Sequence, residues 1–184
     1  MTSTASDVEL IKNKLGVHPD FPKAGIVFLD IFPLFQDAIV FETLITHLMS
    51  HIFTETLPRT RLNKIDVVVG LDARGFLFGP ILASRLGASF VPVRKAGKLP
   101  GPTIQAIYDK EYGQDRFEMQ EGAIKQGQTV LCVDDLIATG GSAKAAGELI
   151  NKSGGNTVEY LFVIDIQIGG ADALDAPSYS IVKA

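Results

Sequence analysis

Cysteine occurs once, at Cys132, so no disulfide can close within the chain. It stands in the apolar run Thr129–Val133, where a small buried hydrophobe is expected in preference to a reactive thiol. Charge of one sign is scarce too: 17 Lys and Arg against 21 Asp and Glu leave a net charge of -4, with no long block of either. That balance argues against a nucleic-acid partner, although a small cluster of cations around a phosphate is compatible with it. No apolar stretch approaches the ~20 residues of a membrane-spanning helix, so no membrane partner is expected. The first residues, Met1 to Asp7, lack a basic segment followed by an apolar one, and no secretory signal is expected. Asn151-Lys152-Ser153 fits the glycosylation pattern by chance on that reading. What remains is an ordinary cytoplasmic composition, 46% apolar and 21% charged, over 184 residues that suit one domain spanning 1–184.

Repeats, linkers and low-complexity segments are also missing. What the chain has is alternation. Ser6 and Glu9 fit a capping box opening a short helix that stops at Gly16. Asp20–Phe32, with two prolines and a glycine among aromatics, reads as an extended connector. From Asp37 a helical face follows through Phe41, Leu44, Ile45, Leu48, Met49, Ile52 and Phe53. His47 and His51 lie four apart on that helix, but no third metal ligand stands nearby, and a partly solvated face is expected. Strands are predicted at Ile65–Val69, Ser89–Val93, Thr129–Val133, Val158–Ile164 and Tyr179–Val182, with helices over Phe76–Leu86 and Ala143–Ile150. Runs apolar on both faces, alternating with helices, argue for an α/β fold with a mostly parallel sheet covered on both sides. In such sheets ligands collect at the carboxyl ends of strands.

After Thr129–Val133 come Asp134-Asp135, then Leu136-Ile137-Ala138-Thr139-Gly140-Gly141-Ser142, then a helix. Two adjacent carboxylates at a strand end are costly unless a cation or hydrogen-bond donors meet them, and ribose hydroxyls, with or without magnesium, would do so. The small-residue turn leaves backbone N–H groups free to close on an anion, at a helix N-terminus that favours one, and Thr139 and Ser142 add hydroxyls. Sugar-binding acids beside a phosphate nest describe a ribose 5-phosphate site. The run matches neither a P-loop nor a dinucleotide-binding fingerprint.

The run Val133–Ser142 resembles the phosphoribosyl pyrophosphate signature of the type I phosphoribosyltransferases. Four further segments are similar to the adenine-specific branch: Phe21–Phe28, Gly70–Pro80, Val93–Pro102 and Glu111-Tyr112-Gly113. The resemblance implies the type I fold, with a small N-terminal hood over about 1–35 and a flexible catalytic loop over about 103–118. It implies transfer of a 5-phosphoribosyl group from phosphoribosyl pyrophosphate to adenine, with Mg2+ held mainly through substrate, in a homodimer. Asp134, Asp135, Ala138, Thr139, Gly140, Gly141 and Ser142 would take ribose 5-phosphate. Asp72, Ala73, Arg74, Gly75, Arg94, Lys95 and Lys98 would take pyrophosphate, from either chain of a dimer. Val27, Phe28 and Leu29 would read adenine, largely through the backbone, with Leu136 and Ala138 near base or sugar. Glu111 would serve as acid/base, Tyr112 would pack at the closed site, and Arg74 would assist departure of pyrophosphate.

Two departures stand out: Leu29 where many relatives carry Arg, and Gly169-Gly170-Ala171-Asp172-Ala173 where a basic stretch is expected. The second bears on the edge of the purine pocket. The alternatives are a phosphoribosyltransferase for hypoxanthine, guanine or orotate, and a non-catalytic phosphoribosyl pyrophosphate sensor. The DNA-binding segment such sensors usually add is not expected in this chain.

Overall fold

The computed structural model of the chain describes residues 4–109 and 114–184. It divides into two compact units, Met1–Phe53 and Thr54–Ala184.

In the first unit, helix α1 (Thr4–Lys14) is followed by strands β1 (Gly16–Pro19) and β2 (Val27–Asp30), a one-turn helix α2 (Phe32–Phe35) and helix α3 (Ala38–His51). The connector expected over Asp20–Phe32 is thus partly a hairpin. β1 and β2 pair antiparallel from Gly16↔Asp30 to Pro19↔Val27. Its turn is tied by Gly25 N–H donating to Asp20 Oδ1 at 2.7 Å. Ser6 lies inside α1 and not at its cap, because Thr4 and Ala5 already continue the helix upstream. Asp7 then falls in the first turn, where its charge suits the helix dipole. Asp37 does cap α3, accepting the N–H groups of Ile39 and Val40 at 3.1 and 3.3 Å. His47 is not on a solvated face. α1 packs across that side of α3, leaving His47 buried with Nδ1 3.9 Å from Asp7 Oδ2. Burial, set against the attraction of Asp7, lowers its pKa.

The second unit is built on a seven-stranded sheet in the order β5-β6-β4-β3-β7-β8-β9. Its elements are a one-turn helix α4 (Leu57–Thr60), β3 (Val67–Leu71), α5 (Gly79–Leu86), β4 (Ser89–Lys95), β5 (Thr103–Asp109), β6 (Gln114–Gln120), β7 (Thr129–Ile137), α6 (Gly141–Lys152), β8 (Asn156–Asp165) and β9 (Ser178–Lys183). The β4-β3-β7-β8-β9 portion is parallel throughout, and β6 and β5 close one side antiparallel. Val67, Val68 and Val69 are all fully buried, as a central strand covered on both faces requires.

α6 covers one face with Ala143, Ala146, Leu149 and Ile150, packed over Val67, Val69, Val130 and Cys132. Cys132 is accordingly a buried core residue. α5 lies over β3 and β4. It starts three residues later than predicted, after a 3-10 turn Arg74–Phe76, where Pro80 suits the first helical turn.

β7 runs four residues past the predicted end. Pairing with β8 continues through Leu136↔Ile164 and Ile137↔Asp165, so the two acids lie on the strand itself. The largest difference is at 103–118, whose described arms are strands. Ile104, Ala106 and Tyr108 turn to the core while Gln105 and Ile107 face out, a period of two masked by the polar residues around it.

Candidate active site

β3, β7 and β4 are neighbours in register, Gly70 opposite Val133 and Leu71 opposite Val93, so their carboxyl ends lie side by side. The loops that follow surround a cavity of about 330 Å³. Asp72, Ala73 and Arg74 line it from the loop after β3, Lys95 from the end of β4, Asp134 through Ile137 from the end of β7, and Ala138 through Ser142 from the turn and helix start that follow.

On β7 the first carboxyl group is tied to the backbone of the second acid: Asp135 N–H donates to Asp134 Oδ1 at 2.9 Å. Burial, then repulsion from Asp135, pushes the pKa of Asp134 well above the ordinary range. Burial also raises that of Asp135, against the pull of the Arg74 guanidinium. Arg74 Nη1 is 2.9 Å from Asp135 Oδ2, an ion-pair distance, yet that buried oxygen has no aligned hydrogen bond. A ligand bringing hydroxyl donors or a cation would therefore find acceptors held ready for it.

The turn after β7 reverses at Gly140, whose φ of +80° is the left-handed region glycine favours. Gly140 also caps α6 with no side chain, so the first N–H groups of that helix have no side-chain cap of their own. The turn is backed by Gly170: a Cβ there would lie 2.1 Å from Ala138 O and 2.7 Å from Gly140 N. The unusual tail segment thus packs against the turn between β7 and α6.

The first loop is drawn onto β7 by Gly75, where a Cβ would meet Val133 O at 2.6 Å. Only glycine permits that approach, and it brings Arg74 within reach of Asp135. The loop after β4 is held in part by the charged side chain of Arg94. Arg94 donates from Nε to Asp72 Oδ2 at 3.0 Å and from Nη1 to Lys98 O at 3.2 Å. Arg94 thereby ties two loops together and does not line the cavity, nor do Gly75 and Lys98. Lys95 is exposed, with Nζ 3.6 Å from Asp115 Oδ2.

Val27, Phe28 and Leu29 form most of β2, in the other unit; Val27 is exposed, and Phe28 meets Phe21 edge-on at 5.2 Å. Glu111 and Tyr112 lie outside the described residues. Sequence reasoning missed Tyr108 and Phe117, which line the cavity from the hairpin, and Glu118, buried beside it. For Tyr108 the signal was the period-two alternation of 104–108.

A parallel sheet whose central strand ends in paired acids and then wraps an anion turn around a helix N-terminus defines the class, a phosphoribosyltransferase. The phosphoribosyl transferase domain family matches residues 36–180, a span that includes all three loops. Within that class the chain is 54% identical to the adenine phosphoribosyltransferase of Yarrowia lipolytica over 174 residues, covering 94% of this chain and 93% of that one. It is 48% identical to the corresponding enzyme of Debaryomyces hansenii over 174 residues, 94% of this chain and 89% of the relative. The crystal structure of adenine phosphoribosyltransferase from Saccharomyces cerevisiae, complexed with an imino-altritol bisphosphate and adenine, superposes with a TM-score of 0.92 at 48% identity, covering 97% of this chain and 99% of that one. The chain belongs to the adenine phosphoribosyltransferase family.

Proposed function

We infer that the protein makes AMP and pyrophosphate from adenine and phosphoribosyl pyrophosphate, as a step of purine salvage. The observation that carries this reading is the meeting, in one cavity, of the Asp134–Asp135 pair, the uncapped start of α6 and Arg74.

In the proposed reaction adenine N9 forms a bond to C1 of the sugar as the bond from C1 to the pyrophosphate oxygen breaks. The electron pair leaves with pyrophosphate, and positive charge grows on the ribose ring. Asp134 and Asp135 accept from the ribose hydroxyls and face that charge, while the N–H groups at Gly140–Ser142 hold the 5-phosphate. Arg74 and Lys95 offer positive charge to the departing pyrophosphate. Glu111 takes the proton from the purine, and Tyr112 would pack at the closed site. Backbone groups of Val27 and Leu29 read the adenine edge, so that Leu29 in place of Arg leaves recognition intact.

Asp72, Asp134 and Asp135 offer the hard oxygen donors magnesium takes, although no group of three or more potential ligands converges among the described residues. That donor set fits an ion carried mainly on diphosphate oxygens; when bound, it would neutralise the charge of the leaving group. Exposed apolar side chains, Ile39 and Phe53 among them, support a homodimer as the working form. A free, buried thiol at Cys132 is in keeping with the cytoplasm.

The test is to mix the protein, magnesium and phosphoribosyl pyrophosphate with adenine, hypoxanthine, guanine or orotate and follow nucleotide formation. AMP from adenine alone is expected. A different nucleotide would overturn the base assignment, and no product with any base would overturn the enzyme.

A further inference from the structure

Glu118 is 3% exposed, a buried carboxylate on β6 with no place in the reaction above. It stands opposite Arg94 in the β4–β6 ladder, so the two side chains emerge on the same side of the sheet. Both reach the loop after β4. Glu118 Oε1 accepts the N–H of Lys98 and the N–H of Leu99, each at 2.9 Å, and Thr103 Oγ1 donates to Oε2 at 3.4 Å. From the other side Arg94 donates to Lys98 O. The peptide groups on both sides of the Lys98 Cα are therefore fixed by side chains of opposite sign.

A buried carboxylate is costly unless its oxygens are satisfied, and here backbone N–H groups supply the compensation. Burial acts to raise the pKa of Glu118, but the N–H groups of Leu99, Gly97 and Lys98 together outweigh it and lower the pKa. The same bonds that hold the loop thus favour the charged form of the carboxylate, and loop and carboxylate keep each other in place. A loop that follows Lys95 at the end of β4, carries Lys98 and turns through Gly97 at φ +81° would otherwise sample many shapes.

We propose that Glu118 is a positioning residue for pyrophosphate: it acts through the backbone of Lys98 and Leu99 to set the cationic loop before substrate arrives. This rests on reading that loop as a pyrophosphate site. Preorganising it lowers the ordering cost of binding phosphoribosyl pyrophosphate, and of pyrophosphate in the reverse reaction, without touching adenine. The signature is a split between substrates and not a general loss.

The test compares E118A, E118Q and K95A in the full chain, with KM measured for phosphoribosyl pyrophosphate, pyrophosphate and adenine, and melting followed alongside. For E118A, KM for the two pyrophosphate-bearing substrates should rise about tenfold or more, from the loss of charge-assisted bonds, with adenine KM within about twofold. E118Q keeps an acceptor oxygen and the shape but loses the charge, so an intermediate rise of about threefold is expected, even if E118A is too unstable to assay. K95A raising those KM values while both Glu118 variants leave them unchanged, or shift adenine KM equally, would overturn the positioning role alone. K95A leaving them unchanged would overturn the pyrophosphate reading of the loop, and the proposal with it.

Discussion

Replacing Gly170 by alanine places a methyl carbon 2.1 Å from Ala138 O and 2.7 Å from Gly140 N, well inside contact distance of two backbone atoms. No flexible side chain can swing aside to admit it. Gly170 does not have a positive φ, so alanine costs nothing in backbone conformation there and the whole effect is steric. Either the tail retreats or the Ala138–Gly140 turn moves into the cavity. Overpacking of this kind costs about 1–3 kcal/mol, which for a chain of this size is a fall in Tm of roughly 2–12 °C. The functional effect should fall on one substrate: a displaced turn aims its N–H groups wrongly at the 5-phosphate, and KM for phosphoribosyl pyrophosphate should rise about tenfold while adenine KM holds. Gly169→Ala is the matched control. Its φ is +87°, so alanine there carries conformational strain, but the nearest atom is 4.0 Å away and nothing pushes on the turn. It should lower Tm by a comparable amount with KM unchanged. Steady-state kinetics and thermal melts on both variants decide the matter. Equal KM values for Gly170→Ala and wild type would refute the claim that this tail shapes the phosphate turn.

Glu111→Ala should abolish most turnover while phosphoribosyl pyrophosphate still binds, read by kinetics beside calorimetry; wild-type turnover would remove Glu111 from the mechanism. Arg74→Ala should lower turnover about a hundredfold, since it deprives Asp135 and the leaving group of their shared cation. Asp134 has a folded pKa above its unfolded one, so its protonated form favours the ligand-free fold at low pH and that contribution disappears as pH rises through the raised value. Asp134→Asn should accordingly raise the ligand-free Tm at neutral pH by about 3 °C and weaken phosphoribosyl pyrophosphate binding, a trade visible by comparing melts with and without substrate. Asp66 shows the opposite sign. Its pKa is lowered to about 2, first by Lys64 and then by the N–H of Thr129, so its contribution is complete above the ordinary carboxylate pKa and is lost as pH falls towards 2. Acid melts of Asp66→Asn should lack that component.

Much of the sheet was legible because buried parallel strands need unbroken apolar runs, and Val67–Val69 and Val130–Val133 are such runs. The ends were less so. A strand continues as long as its neighbour offers hydrogen bonds, and β8 does so as far as Asp165 opposite Ile137, a fact about a partner 28 residues away in sequence. Local propensity at Asp134-Asp135 argues against a strand, and pairing overrides it. The pairing of β5 with β6 was hidden for a related reason: the core side of β5 alternates Ile104, Ala106 and Tyr108, of which two are small or amphipathic, with polar residues around them. His47 illustrates the converse, a polar residue on an apolar face that α1 happens to cover.

The site divides along the same line. Residues proposed to meet ligand directly announce themselves, because paired acids, an Ala-Thr-Gly-Gly-Ser turn and clustered cations have few other uses at a strand end. Residues that hold those groups in place do not, since each looks ordinary in its own segment. Glu118 reads as one more polar residue of a charged hairpin until β6 is paired with β4 and its carboxylate falls beneath Lys98. Gly170 reads as loop punctuation until its missing Cβ is seen to be the space that Ala138 and Gly140 occupy. Arg94 looks like a phosphate ligand, being one of three cations in five residues, yet its bonds go to Asp72 and Lys98. The phosphoribosyl chemistry is therefore encoded locally, whereas its geometry is encoded by residues distant in sequence that the strand order β6-β4-β3-β7 brings alongside.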